Sequence, residues 1–116
     1  MAERVSPITL TDEETGKKYT LEFSKESVSF AERKGFVIHD VGDYPMTKVP
    51  DLFYYAFHMH HKEVARSQTD KILLEDLGGL TQGQIERLIE LYDAPIQALV
   101  KDEEESGKNS KMTVEM

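Results

Sequence analysis

Along VSPITLT (5–11) and KKYTLEFS (17–24), apolar and polar residues alternate with a period of two. Ile8 and Leu10 share one face of the first run, and Tyr19, Leu21 and Phe23 share one face of the second. That predicts two strands, each with one side to bury. The polar segment DEETGK separates them, and Gly16 can supply the positive-φ residue that a turn needs. The pair reads as a β-hairpin. A hairpin alone is marginal in water, so its apolar face needs a cover.

The period then changes to that of helices. Ser24 is placed as the N-cap of a first helix, with Glu26 in its first turn, Val28 and Ala31 on one side, and Gly35 as its stop. FVIHDV (36–41) reads either as a short third strand or as a buried connector. GDYPMTKVP (42–50), with Gly42 and two prolines, reads as a loop. A second helix is predicted from between Thr47 and Pro50 to Lys62–Val64, with Val49, Leu52, Phe53, Ala56, Phe57 and Val64 on one stripe. A third has Thr69 as its cap, runs over DKILLEDL and stops at Gly78-Gly79. The fourth opens on TQGQIERL, where Thr81 and Gln84 stand at capping-box spacing. Its apolar positions are Ile85, Leu88, Ile89, Tyr92, Ile96 and Leu99, and Pro95 predicts a kink or break near Asp93.

The expected fold is therefore α+β: one domain over residues 1–100, with a hairpin packed by four helices, followed by a flexible acidic tail over 101–116. The expected core is Leu21, Phe23, Val28, Leu52, Phe53, Ala56, Phe57, Leu73, Leu77, Ile85, Leu88, Ile89 and Tyr92. A chain of 116 residues suits one such core.

Composition narrows the function more than the fold. Net charge is −8, with 11 Lys/Arg against 17 Asp/Glu in residues 1–100 and 3 against 5 in the last sixteen. KK (17–18) and RK (33–34) are only pairs, too little clustered positive charge to track a phosphate backbone, so nucleic acid is not an expected partner. No apolar run is long enough to span a bilayer and MAERVSP lacks the apolar core of a signal peptide. The absence of cysteine excludes thiolate chemistry and fits a reducing cytoplasm. LGGLTQG lacks the preceding strand and the lysine of a phosphate loop. Glu75-Asp76 and Glu86/Glu90 read as solvated helix faces, and no serine lies in a nucleophile elbow. No enzyme activity and no cofactor are expected.

DLFYYAFHMHHKEV (51–64) carries three histidines in a short run. On a regular helix His60 lies within the apolar stripe, while His58 and His61 lie opposite, beside Tyr54. The three then cannot converge on one ion. His58 and His61 alone give two ligands where a zinc site needs three or four, so no metal site is expected. His60 reads as a core-edge histidine bonded to a tyrosine or a backbone carbonyl.

Tyr54 and Tyr55 lie off the stripe, with Met59 on its margin. Either a neighbouring element covers them, or they form a partner-binding surface of the apolar, adaptable kind that Tyr and Met favour. Val114 and Met116, in the terminal MTVEM, could likewise add a short strand to a partner's sheet.

Taken together, LEFSKESVSFAERKGF, PDLFYYAFHMHHKEV, TDKILLEDLGGLTQGQIERLIELYDAPIQALV and KNSKMTVEM make the chain, from about Tyr19 to Met116, resemble a family of tail assembly chaperones from phages and prophages of Gram-positive bacteria. The resemblance implies a non-enzymatic binder that coats the long, helical tape measure protein, in multiple copies, in the host cytoplasm while the tail tube polymerises. The candidate contacts are Tyr54, Tyr55, Met59, Val114 and Met116. The alternatives are another phage structural or host-interaction protein, such as a head–tail component or an acidic inhibitor of a basic site.

Overall fold

The computed structural model describes residues 5–99, together with Met112 and Glu115. Strands β1 (Ile8–Thr11) and β2 (Lys18–Leu21) pair antiparallel, with Ile8 opposite Leu21 and Leu10 opposite Tyr19. Opposed residues share a face, so the alternation read from the sequence puts all four on one side. Asp12 organises the turn: its carboxylate accepts the backbone N–H groups of Glu14 at 2.9 Å and Thr15 at 3.3 Å. Those donors hold its carboxyl below the usual carboxylate range. Gly16 closes the turn at φ 77°.

Helix α1 (Lys25–Arg33) begins at Ser24, as the pattern predicts. Ser24 Oγ accepts from the Ser27 N–H at 3.1 Å, and Ser27 Oγ accepts from the Ser24 N–H at 2.8 Å. Serine thus fills the role that glutamate usually plays in a capping box. At the other end Gly35 adopts φ 89°, while the Gly35 N–H reaches the Glu32 carbonyl and the Phe36 N–H reaches that of Ala31. This Schellman closure turns Phe36 back into the core, where it is buried.

Residues 36–41 are not a strand. Ile38–Val41 form a 3₁₀ turn with Phe36 and Val41 buried, so the connector reading holds. The outer edge of β2 has no room for a third strand. The Thr20 N–H donates to Nε2 of His61 at 2.9 Å, and the Glu22 N–H donates to the Ala56 carbonyl at 3.1 Å.

Helix α2 (Pro45–Phe57) starts and stops earlier than predicted. Pro45 occupies the first helical position, where a missing N–H costs nothing. Pro50 deletes only the donor to the carbonyl of the well-exposed Met46, where water can take its place. After Phe57 the chain tightens and turns: the His58 N–H reaches the Tyr55 carbonyl at 3.1 Å and the Val64 N–H reaches that of His61 at 3.2 Å, each only three residues back. The helix therefore does not run on to residues 62–64.

Helix α3 (Arg66–Lys71) starts before Thr69, which is buried inside it with Oγ1 donating to the Arg66 carbonyl rather than serving as a cap. It continues into a π turn at Ile72–Asp76, where the Leu77 N–H reaches the Ile72 carbonyl at 2.8 Å. A π turn holds more residues than an α turn, so side chains four apart no longer stack. Leu73 is buried at 3% exposure, but Leu77 stands 42% exposed, which removes it from the expected core.

Helix α4 (Gln82–Gln97) opens on the predicted capping box, with Thr81 Oγ1 accepting from the Gln84 N–H and Gln84 Oε1 accepting from the Thr81 N–H. The chain does not break at Asp93; the helix runs through Pro95. Leu88, Leu91 and Tyr92 are buried, and Ile85 and Ile89 sit half-buried at the core's margin. α1, α2, α4 and the inner face of β2 enclose Leu52, Phe53, Ala56 and Phe57. Tyr92 lies edge-on to Phe23 and Phe36 at 5.0 and 5.4 Å. Burial, and then the nearby Glu32 carboxylate, push its hydroxyl up to about 12.

His61→Ala removes the acceptor of the Thr20 N–H and should cost about 1–3 kcal/mol in urea unfolding, the scale for an orphaned donor. Hydrogen exchange should accelerate at Thr20 more than at Glu22, whose acceptor on Ala56 is retained. Equal acceleration at both would contradict the edge-closing role of His61.

Candidate partner-binding surface

The early end of α2 decides what the three histidines do. His58 stacks flat on Phe30, with ring centroids 4.0 Å apart and planes 2° from parallel. His60 is exposed and its Nε2 lies 2.9 Å from Oε1 of Glu22, rather than bonding a tyrosine or a carbonyl. His61 is not on a solvated face: it packs edge-on to Tyr19 at 5.3 Å, and Nε2 accepts from Thr20. Because that lone pair is engaged by an N–H, the proton of the neutral ring belongs on Nδ1. Ligating a metal through Nε2 would undo the hairpin's edge. Among the described residues, no group of three or more His, Asp or Glu side chains is placed to hold a metal ion.

Tyr55 is tied into the interior, 5.4 Å from Phe36 and 6.0 Å from Phe30. Tyr54 is half-buried, with its ring 5.2 Å from that of Tyr55 and 5.9 Å from the Arg66 guanidinium carbon. Arg66 in turn donates to Asp51 at 2.8 Å and to Asp70 at 2.9 Å, linking α2 to α3. Met59 is half-buried and borders a shallow depression with Ser24, His58 and Lys62. Neighbouring elements thus cover much of Tyr54, Tyr55 and Met59. Val114 and Met116 lie outside the described residues.

A concave surface lies elsewhere. A groove of about 510 Å³ runs between the hairpin and the α3–π segment, within the size range that accommodates bound ligands. Leu10, Tyr19, Ile72 and Leu77 supply its apolar lining. Asp12, Glu13, Glu14 and Asp76 supply carboxylates around it, and among the described residues Lys71 is the one basic residue in the lining. Lys71 pairs with Asp76 at 3.4 Å, and the Lys17 ammonium lies 5.1 Å above the Tyr19 ring. Periodicity hides this site. It assigns Leu77 to the core and Glu13-Glu14 to an ordinary turn, and it has no means of signalling the π turn that aims Leu77 outward.

The whole chain, residues 1–116, matches the model of a domain of unknown function, DUF5055. The chain belongs to that family. Comparison of this DUF5055 domain with curated proteins and with solved structures gives no match. Among its described residues no helix is long and apolar enough to cross a membrane.

Within the domain, burial against Phe30, followed by the charge of Lys62, lowers the pKa of His58 below its ordinary value of 6.5. As pH falls, the unfolded chain therefore takes up this proton first. The associated stability is full above about pH 6.5 and is lost as pH drops through the lowered folded value. His58→Phe keeps a ring on Phe30 and removes the titration, so its urea midpoint should fall less than that of the wild type between about pH 7.5 and 5. Identical slopes for the two proteins would refute this role.

Proposed function

We propose that this DUF5055 chain is a non-enzymatic phage tail assembly chaperone that binds the tape measure protein in the bacterial cytoplasm while the tail tube forms. The observation that carries the reading is the groove beside the π turn, whose apolar lining and acidic border suit adhesion to another polypeptide. The resemblance of the segments from Tyr19 onward to such chaperones supplies the partner. A net charge of −8 supports keeping an aggregation-prone partner dispersed, because complexes that carry like charge repel one another.

Co-expression with the tape measure protein of the same phage or prophage should move that protein into the soluble fraction and yield a complex that co-elutes on gel filtration. The finished particle should lack the chaperone. Unchanged solubility with no complex overturns the proposal, and retention in purified virions favours a head–tail component instead.

A further inference from the structure

We propose that the groove between the hairpin and the α3–π segment docks a partner segment whose apolar side chains are flanked by lysine or arginine. The proposal rests on the adhesive reading above and narrows it to one surface and one chemistry. Apolar exposure and one-sided charge converge there. The π turn gives up helical regularity and presents Leu77 in the groove lining at 42% exposure. An apolar side chain held out in this way gains only when something covers it. The charge around it is one-sided: among the described residues four carboxylates line the groove against the single ammonium of Lys71, and counting Lys17 above Tyr19 leaves four against two.

That imbalance chooses the occupant. A Lys/Arg-flanked segment meets complementary charge while its apolar residues cover Leu10, Ile72 and Leu77. A second copy of this chain, at net −8, or an acidic segment such as KDEEES, brings like charge to the same border. The Asp12 carboxylate is fixed in place by the two backbone N–H groups of its own turn, so the border is arranged before any partner arrives.

The test uses the full chain and three fluorescent synthetic peptides. The first alternates leucine and lysine in an amphipathic pattern, the second replaces its lysines with glutamate, and the third replaces its leucines with serine. Anisotropy should detect binding of the leucine–lysine peptide alone, weakening as salt is raised. Amide shifts in an isotope-labelled sample should centre on Leu10, Tyr19, Ile72 and Leu77. Leu77→Asp should weaken binding about tenfold or more, as for loss of a buried apolar anchor. Lys71→Gln, which releases Asp76 from its ion pair, should tighten it roughly threefold at low salt. Both positions are exposed, and an unchanged circular dichroism melt verifies each variant's fold.

Equal binding of the serine–lysine peptide would reduce the effect to general attraction and overturn the proposal. So would equal binding of the glutamate peptide, shifts located elsewhere, or occupation of the groove by a second copy seen as concentration-dependent dimerisation lost in Leu77→Asp. Repeating the tape measure co-expression with Leu77→Asp separates the two readings. A variant that still solubilises the partner sinks the groove and spares the chaperone, whereas failure of the wild-type chain sinks the chaperone while the peptides judge the groove.

Discussion

The fold depends on how the outer edge of β2 is closed. A two-stranded sheet leaves backbone donors along its edges, and the side of β2 that faces α2 needs acceptors if it is to be buried. The end of α2 provides them, the Ala56 carbonyl to Glu22 and the His61 imidazole to Thr20. The helix ends at Phe57, and His61, four residues on, bonds Thr20. Beyond His61, Val64 is buried, and α3 starts where Arg66 bridges Asp51 and Asp70.

Around that junction, aromatic rings do much of the packing. Tyr19 meets Phe57, Phe57 meets Phe53, and on the other side Phe23 and Phe36 meet Tyr92. Large rings give a chain of this size burial that smaller side chains could not, and the tilted and edge-on geometries add specificity to it. Tyr55 and Phe30 extend the cluster toward the surface, where His58 stacks as its last ring. The FYYAF run is therefore chiefly structural. Its exposed-looking tyrosines are absorbed by elements far from them in sequence.

The α3–π segment behaves differently. Continuing as an α-helix would keep Leu73 and Leu77 on one buried face, as their spacing suggests. The i→i+5 bond from Leu77 to Ile72 gives up that register, and Gly78 and Gly79, both at positive φ, then lead the chain into α4. An irregularity of this kind trades stability for the placement of a side chain, a balance commonly met at binding surfaces. Here it sets apolar side chains beside the carboxylates of the hairpin turn.

What the sequence determined by itself was much of what near neighbours govern, though not the start of α3 or the π turn after it. The alternation of Ile8, Leu10, Tyr19 and Leu21 fixed the shared face of the hairpin, and Gly16, Ser24, Gly35, Thr81 and Gln84 marked turns and caps whose partners lie within a few residues. The α+β class and most of the core followed from these. Only the tertiary structure decided where α2 ends, what each histidine bonds, and that Leu77 faces outward. His61 bonds Thr20 across forty-one positions, and Tyr19 and Leu77 come to the same groove from different ends of the chain. Periodicity records which side of an element is apolar. It does not record which distant donor a helix end must satisfy, because that demand exists only once the elements have met.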